Sequence, residues 1–231
     1  VCTAQAEVQN KGFLKAMATD MPYVRLKIAS SLDGRTAMAS GESKWITGNL
    51  ARQDVQHWRA ISGAVITGIE TILADDPLLN VRQLEGVDLA TVIQPKRVIL
   101  DRQGRLPLTA KILQTPDTVI VMGPFRSELE QMGVVQLEIQ SLPELLQTLK
   151  KIQIYDVLVE AGATLSTAFL QAKLVDELIS YVAPTFLGAK ARTMFNAEFD
   201  RMAEQLRFKL LDVTQLGDDI RLKLIPLQES V

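Results

Sequence analysis

One cysteine and one histidine are all that the 231 residues contain, and this scarcity removes two kinds of chemistry. A lone Cys2 permits no internal disulfide, and Cys2 with His57 cannot build a zinc site, which takes several such ligands. An excess of one charge is missing too: 25 Lys+Arg stand against 27 Asp+Glu, a formal net charge of −2. That balance excludes a polybasic nucleic-acid module and a surface drawn to anionic membranes by bulk charge. No uninterrupted apolar run approaches the roughly 18–20 residues that span a bilayer. The stretch from Val1 to Lys15 has no apolar core of a signal peptide. Neither a Walker A sequence, a G-x-S-x-G elbow nor a full G-x-G-x-x-G fingerprint occurs. What remains is ordinary globular usage, 47% hydrophobic and 23% charged, enough for one large domain with a short appendage. The expectation is a cytoplasmic protein with no metal, no nucleic-acid partner and no membrane partner.

Residues 1–20 are polar, lack a strand pattern and read as a tail or linker; the absence of an initiator Met reads either as a chain cut from something longer or as Met removal leaving Val1. From Pro22 the character changes. Tyr23 to Ala29 alternates as a strand, and Leu32-Asp33-Gly34 supplies the turn that ends it. Thr47-Gly48-Asn49 can cap a helix running to about Ala60, with Leu50, Val55 and Trp58 on one face. Short apolar runs then alternate with helices: Ala64–Thr67, Arg97–Leu100, Thr118–Met122, a helix over Pro143–Lys151, and Asp156–Glu160. A helix follows Gly162, with Leu165, Ala168, Phe169 and Ala172 at helical spacing. Such runs mark an α/β sheet buried on both faces. The end differs. Glu177–Ala183, Arg207–Thr214 and Ile220–Ile225 are strand-like, and Gly217-Asp218-Asp219 reads as a hairpin turn. A mostly parallel sheet with an antiparallel C-terminal edge follows.

Several residues could carry chemistry. Gly162 sits between a strand and a helix, where unpaired backbone N–H groups and the helix dipole suit a phosphate; any strand-to-helix turn can also hold a glycine. Glu160 closes the run Val157-Leu158-Val159, which delivers it either to a pocket edge or to a cap or ion pair. Lys27 interrupts an apolar strand, and alternation with Arg25 equally allows it to face solvent. Arg59 and Arg82 are surface cations or bidentate phosphate ligands. His57 reads as structural.

Read together, these features resemble a known family. The run Leu26-Lys27-Ile28-Ala29-Ser30-Ser31-Leu32-Asp33-Gly34-Arg35 is the densest match. Gly41 to Thr47, Ala51-Arg52, Gly68 to Arg82, Val159-Glu160-Ala161-Gly162, Leu174 to Leu178, Ala183-Pro184 and Leu187-Gly188 follow in order. The chain resembles, from about residue 10 to its end, the reductase domain of the bifunctional riboflavin-biosynthesis enzyme, diaminohydroxyphosphoribosylaminopyrimidine deaminase/5-amino-6-(5-phosphoribosylamino)uracil reductase. The resemblance implies a dihydrofolate-reductase-like α/β fold over residues 21–231, with residues 1–20 the tail of a missing deaminase domain and a linker. It implies reduction of the phosphoribosyl group of 5-amino-6-(5-phosphoribosylamino)uracil to the ribitylamino form, with NADPH as cofactor.

By that resemblance Lys27 and Glu160 are the catalytic pair. Ser43, Arg59, Leu79, Arg82 and Glu160 bind the phosphorylated substrate. Ala29, Trp45, Thr71, Asp75, Arg102 and the run Gly162, Ala163, Thr164, Leu165, Ser166, Thr167 and Ala168 bind the cofactor. The sequence departs from the family at Arg102, where a small hydroxyl residue is common; an Arg there can meet the 2′-phosphate of NADPH or point into solvent. The H-x-E and P-C-x-x-C zinc signature of the deaminase half is absent, so this chain is not expected to deaminate. A dihydrofolate reductase and a catalytically silent assembly domain are the rivals. A phosphate-binding arginine pair argues against the first, and intact Lys27, Asp75, Arg82 and Glu160 against the second. The apolar strands Leu178–Ala183 and Leu206–Val213 would leave a sheet edge that invites pairing, which points to a homodimer.

Overall fold

A computed structural model describes residues 6–227 except Val8; Val1 and Cys2 lie outside the described residues. In chain order the first elements are α1 (Lys11–Ala18), β1 (Tyr23–Ser31), β2 (Arg35–Ala37), α2 (Asn49–Ala60), β3 (Ala64–Gly68) and α3 (Ile69–Asp75). There follow β4 (Lys96–Leu100), β5 (Val119–Met122), α4 (Ser127–Gln131), β6 (Val135–Leu137), α5 (Leu142–Lys151) and β7 (Asp156–Glu160). The last are α6 (Ala163–Gln171), β8 (Glu177–Ala183), β9 (Arg192–Thr193), β10 (Phe208–Leu216) and β11 (Asp219–Pro226). Two compact units result. One holds the residues up to Val24 with Trp58–Leu158, the other Arg25–His57 with the residues from Val159 onward. Among the described residues no helix is long and apolar enough to cross a membrane.

In the first unit β3, β4, β5 and β6 pair in parallel in that order, with β7 beside β3. Consecutive residues of β3 and β5 are buried, which explains the unbroken apolar runs: both faces of these strands are covered. Helix α5 buries Leu142, Leu145, Leu146 and Leu149 along one stripe. Ser141 caps it by accepting from the Glu144 amide, and Lys150 and Lys151 complement the dipole at its end.

The segment expected as a tail or linker is partly helical and packed. On α1, Gly12 and Ala16 are buried. A Cβ at Gly12 would lie 1.8 Å from the Asp156 carboxylate, so any larger residue there would have to displace that side chain. Phe13 meets Tyr155 edge-on with ring centroids 6.0 Å apart, and Lys150 pairs with Asp20 at 2.9 Å. The buried stripe is narrow, which is why composition hides it.

The second unit carries the antiparallel edge that the sequence predicts. Its strand order is β10-β11-β8-β1, with β8 parallel to β1 and antiparallel to β11. Strands β10 and β11 form the hairpin, turning at Gly217 with φ +69°, a region that glycine enters without steric cost. One expectation needs correcting: the Leu178–Ala183 segment is not an edge, because β8 is paired on both sides by β1 and β11. Among the described residues β10 is the outer antiparallel strand, exposing Leu210, Leu211 and Val213. A second correction concerns α2. Leu50 is half exposed, and the buried stripe runs through Ala51, Val55 and Trp58, the i, i+4, i+7 positions of a helix.

Candidate active site

Alternation along β1 puts Arg25, Lys27 and Ala29 on one face of the second unit's sheet. Register places Glu177 opposite Arg25, Ile179 opposite Lys27 and Tyr181 opposite Ala29. Lys27 Nζ lies 3.9 Å from Glu160 Oε2, the last residue of β7, and both side chains are largely shielded from solvent. Of the two readings open for Lys27, the solvent-facing one is therefore wrong. The ammonium also lies 5.8 Å from the centroid of the buried Tyr181 ring. A shielded cation and anion at this spacing can present a donor and an acceptor to one polyhydroxylated ligand.

Directly after β7 the chain passes Ala161 and turns into α6 at Gly162, whose φ of −72° and ψ of 175° suit any residue. No side chain caps this helix, and a Cβ at Gly162 would meet open space. Neither conformation nor internal contact calls for glycine there. The first turn, Ala163, Thr164 and Leu165, therefore offers backbone N–H groups to a ligand. Later in the run the hydroxyls are engaged. Ser166 Oγ donates to the Ala161 carbonyl at 3.2 Å, and Thr167 Oγ1 accepts from the Asn196 amide at 2.8 Å. Thr164 Oγ1 accepts from Asn196 Nδ2 at 3.1 Å.

The loop before α2 carries Ser43 and Trp45. Trp45 is 70% exposed, yet its ring is held by the Arg52 guanidinium, 4.4 Å from the centroid, and Arg52 Nη1 donates to the Thr47 carbonyl at 2.6 Å. Trp45 and Arg52 line a cavity of about 560 Å³ that reaches Thr185 and Asp219. Asp219 Oδ2 accepts from the Gly48 amide at 2.6 Å, tying this loop to the hairpin. Asp33, in the turn after β1, accepts from Ser31 Oγ at 2.5 Å and from the Leu187 and Gly188 amides at 3.1 and 2.8 Å. The Ser31 hydroxyl foremost, with both amides, draws its carboxyl down to about 2.

The remaining expected residues lie in the first unit. Thr71 and Asp75 share one face of α3, immediately after β3, and exposed Arg102 follows β4. All three thus stand past the carboxyl ends of parallel strands, where open α/β sheets hold their ligands. Arg59 is buried, and its Nη1 donates to the Asn80 carbonyl at 3.2 Å. Leu79 is buried with φ +52°, a left-handed conformation that is strained for leucine. Gln94 clamps Val81, two residues on, accepting from its amide at 2.8 Å and donating to its carbonyl at 3.0 Å. The loop delivers Arg82 to the surface. Buried Asn80 Oδ1 and Thr67 Oγ1 have no hydrogen-bond partner among the described residues. Tyr181, Asp54 and Arg221 are the residues sequence reasoning misses.

The RibD C-terminal domain family model matches residues 22–222. The Haemophilus influenzae riboflavin biosynthesis protein RibD is 46% identical over 237 residues, covering 96% of this chain and 63% of that protein. The chain thus spans less than two thirds of the length of this relative. Among solved structures, Acinetobacter baumannii RibD superposes with a TM-score of 0.97 at 73% identity, over 99% of this chain and 64% of that one. A Thermotoga maritima diaminohydroxyphosphoribosylaminopyrimidine deaminase/5-amino-6-(5-phosphoribosylamino)uracil reductase superposes with a TM-score of 0.81 at 28% identity, over 94% and 60% of the two chains.

Proposed function

The chain belongs to the RibD C-terminal domain family, and on that premise we propose that it is the reductase of riboflavin biosynthesis acting on 5-amino-6-(5-phosphoribosylamino)uracil. The observation that carries this reading is the shielded Lys27–Glu160 pair at 3.9 Å. It supplies a proton donor and a hydroxyl acceptor where a sugar can reach both, and it matches the activity named for the Thermotoga relative.

The cofactor is NADPH, which supplies the hydride. The residues present suit it: the uncapped first turn of α6 with open space at Gly162 fits a phosphate. Ala29, Trp45, Thr71, Asp75 and Arg102 complete the cofactor set, and Arg102 meets the 2′-phosphate. Because Ser166 and Thr167 spend their hydroxyls internally, the run from Gly162 to Ala168 contributes backbone groups chiefly. Arg82 with Ser43 binds the substrate phosphate, while buried Arg59 fixes the Leu79–Arg82 loop through the Asn80 carbonyl.

In the reaction C1′ of the sugar gains a hydride, its bond to the ring oxygen breaks, and that oxygen gains a proton. Lys27 donates or relays that proton, and Glu160 accepts from the ribose hydroxyls and holds C1′ in place. This chain carries no deaminase activity; a deaminase domain belongs to the full-length protein, which is cytoplasmic and homodimeric. The test is NADPH oxidation with the phosphoribosylamino substrate, read by absorbance and by mass spectrometry of the ribitylamino product. Absence of turnover with both present would overturn the reading.

A further inference from the structure

We infer that Tyr181 is a positioning residue for Lys27, held in place by Asp54 and Arg221. The inference rests on the proposed catalytic role of Lys27 and adds the residues that fix its ammonium. At 3.9 Å from Glu160 Oε2, that ammonium lies beyond hydrogen-bonding distance of this oxygen, so the contact alone does not set its position. The ring of Tyr181 supplies a further constraint. Its centroid lies 5.8 Å from Nζ, within the range over which an aromatic face attracts a cation.

The ring is itself anchored. Tyr181 is fully buried, and its hydroxyl donates to Asp54 Oδ2 at 2.5 Å. Arg221 grips the same carboxylate with Nη1, 2.8 Å from Oδ1 and 3.0 Å from Oδ2. Its Nη2 donates to Asp212 Oδ2 at 3.1 Å and to Thr214 Oγ1 at 2.8 Å. Arg221 stands opposite Tyr181 in the β8–β11 register, and Tyr181 stands opposite Ala29 on the face that carries Lys27. Three strands and α2 thus fix one ring. Such a polar network is costly to bury, and a purely apolar residue would fill the space without it. The geometry assigns its benefit to the ammonium over the ring.

The experiment is a double-mutant cycle on single-turnover hydride transfer, with NADPH and the phosphoribosylamino substrate both saturating. Tyr181→Phe keeps the ring face and the fold but cuts the anchor. It should slow transfer about 3- to 10-fold, inside the ~2- to 30-fold that a cation–π contact spans, with substrate KM and NADPH Kd unchanged. In a Lys27→Met background the same change should have no further effect, because its route of action is gone. A wild-type rate in Tyr181→Phe, or an equal loss in both backgrounds, would overturn the inference while leaving the Lys27 role intact. A wild-type rate in Lys27→Met alone would overturn that role, and this inference with it.

Discussion

Lys27 and Glu160, both in the second unit and carried on separate strands, bring their charges within 3.9 Å of each other in a largely shielded setting. Removing either charge takes an ion-pair partner from the other, yet neither belongs to the proposed cofactor set. Lys27→Met and Glu160→Gln should therefore lower single-turnover hydride transfer by about 10²–10⁴-fold, the usual contribution of general acid–base assistance. NADPH affinity, read by fluorescence titration, should survive both changes. Near-wild-type rates in both variants would leave the pair structural.

The two arginines of the proposed substrate set have different surroundings, so their variants should differ. Arg82 is exposed, and Arg82→Ala should raise substrate KM by about 10- to 1000-fold with little change in NADPH affinity. Arg59 is buried against the Asn80 carbonyl. Arg59→Ala should lower the melting temperature as well as raise KM, because it frees the strained loop around Leu79 and takes a charged donor from the Asn80 carbonyl. Weakened NADPH binding with unchanged substrate KM in Arg82→Ala would mean the two sites are assigned backwards.

The proposed cofactor set places the charge of Arg102 beyond a strand end. NADPH should be preferred over NADH, since each charge-assisted contact to the extra phosphate is worth ~1.5–3 kcal/mol, roughly 10- to 150-fold. Arg102→Ala should erase part of that preference in steady-state kcat/KM ratios. Equal efficiency with the two cofactors in the unaltered chain would refute it.

Among the described residues no strand pairs with the outer side of β10, and Leu210, Leu211 and Val213 are exposed along it. A register irregularity between Leu210 and Asp212 locally disrupts its ladder with β11. Light scattering at micromolar concentration should give about twice the single-chain mass of 25.5 kDa, and Val213→Lys should shift it toward the monomer. A single-chain mass for the unaltered protein would exclude association through this edge.

Local signals carry much of this architecture. Unbroken apolar runs at β3, β4, β5 and β7 announce parallel strands, and Gly217 announces the final hairpin. Lys27 and Glu160 stand out because each interrupts or ends such a run. What escapes is non-local. Nothing near Tyr181 in the chain points to Asp54 or Arg221, because β11 joins β8 only after β9 and β10 have intervened. The left-handed φ at Leu79 is equally hidden, since leucine gives no hint of it. Helix α1 escapes for another reason: its buried stripe is built on Gly12 and Ala16, too small to register as an apolar face.

Asp33 provides a test in acid. Its carboxylate accepts from Ser31 Oγ and from two backbone amides, Leu187 and Gly188, which lowers its pKa from 3.8 to about 2 in the folded chain. A depressed folded value means that the unfolded chain takes up the proton first as pH falls. The stabilisation from these bonds is therefore complete above about pH 4 and fades as pH drops through about 2. Asp33→Asn keeps one oxygen but turns an amide NH₂, itself a donor, toward one of the donors that the lost oxygen accepted from, so it should melt lower than wild type near neutrality. Calorimetry between about pH 5 and pH 2 should then show the gap between the two proteins narrowing toward the acid end. A constant gap across that window would mean that the Asp33 charge contributes nothing to holding the 187–188 segment against the turn.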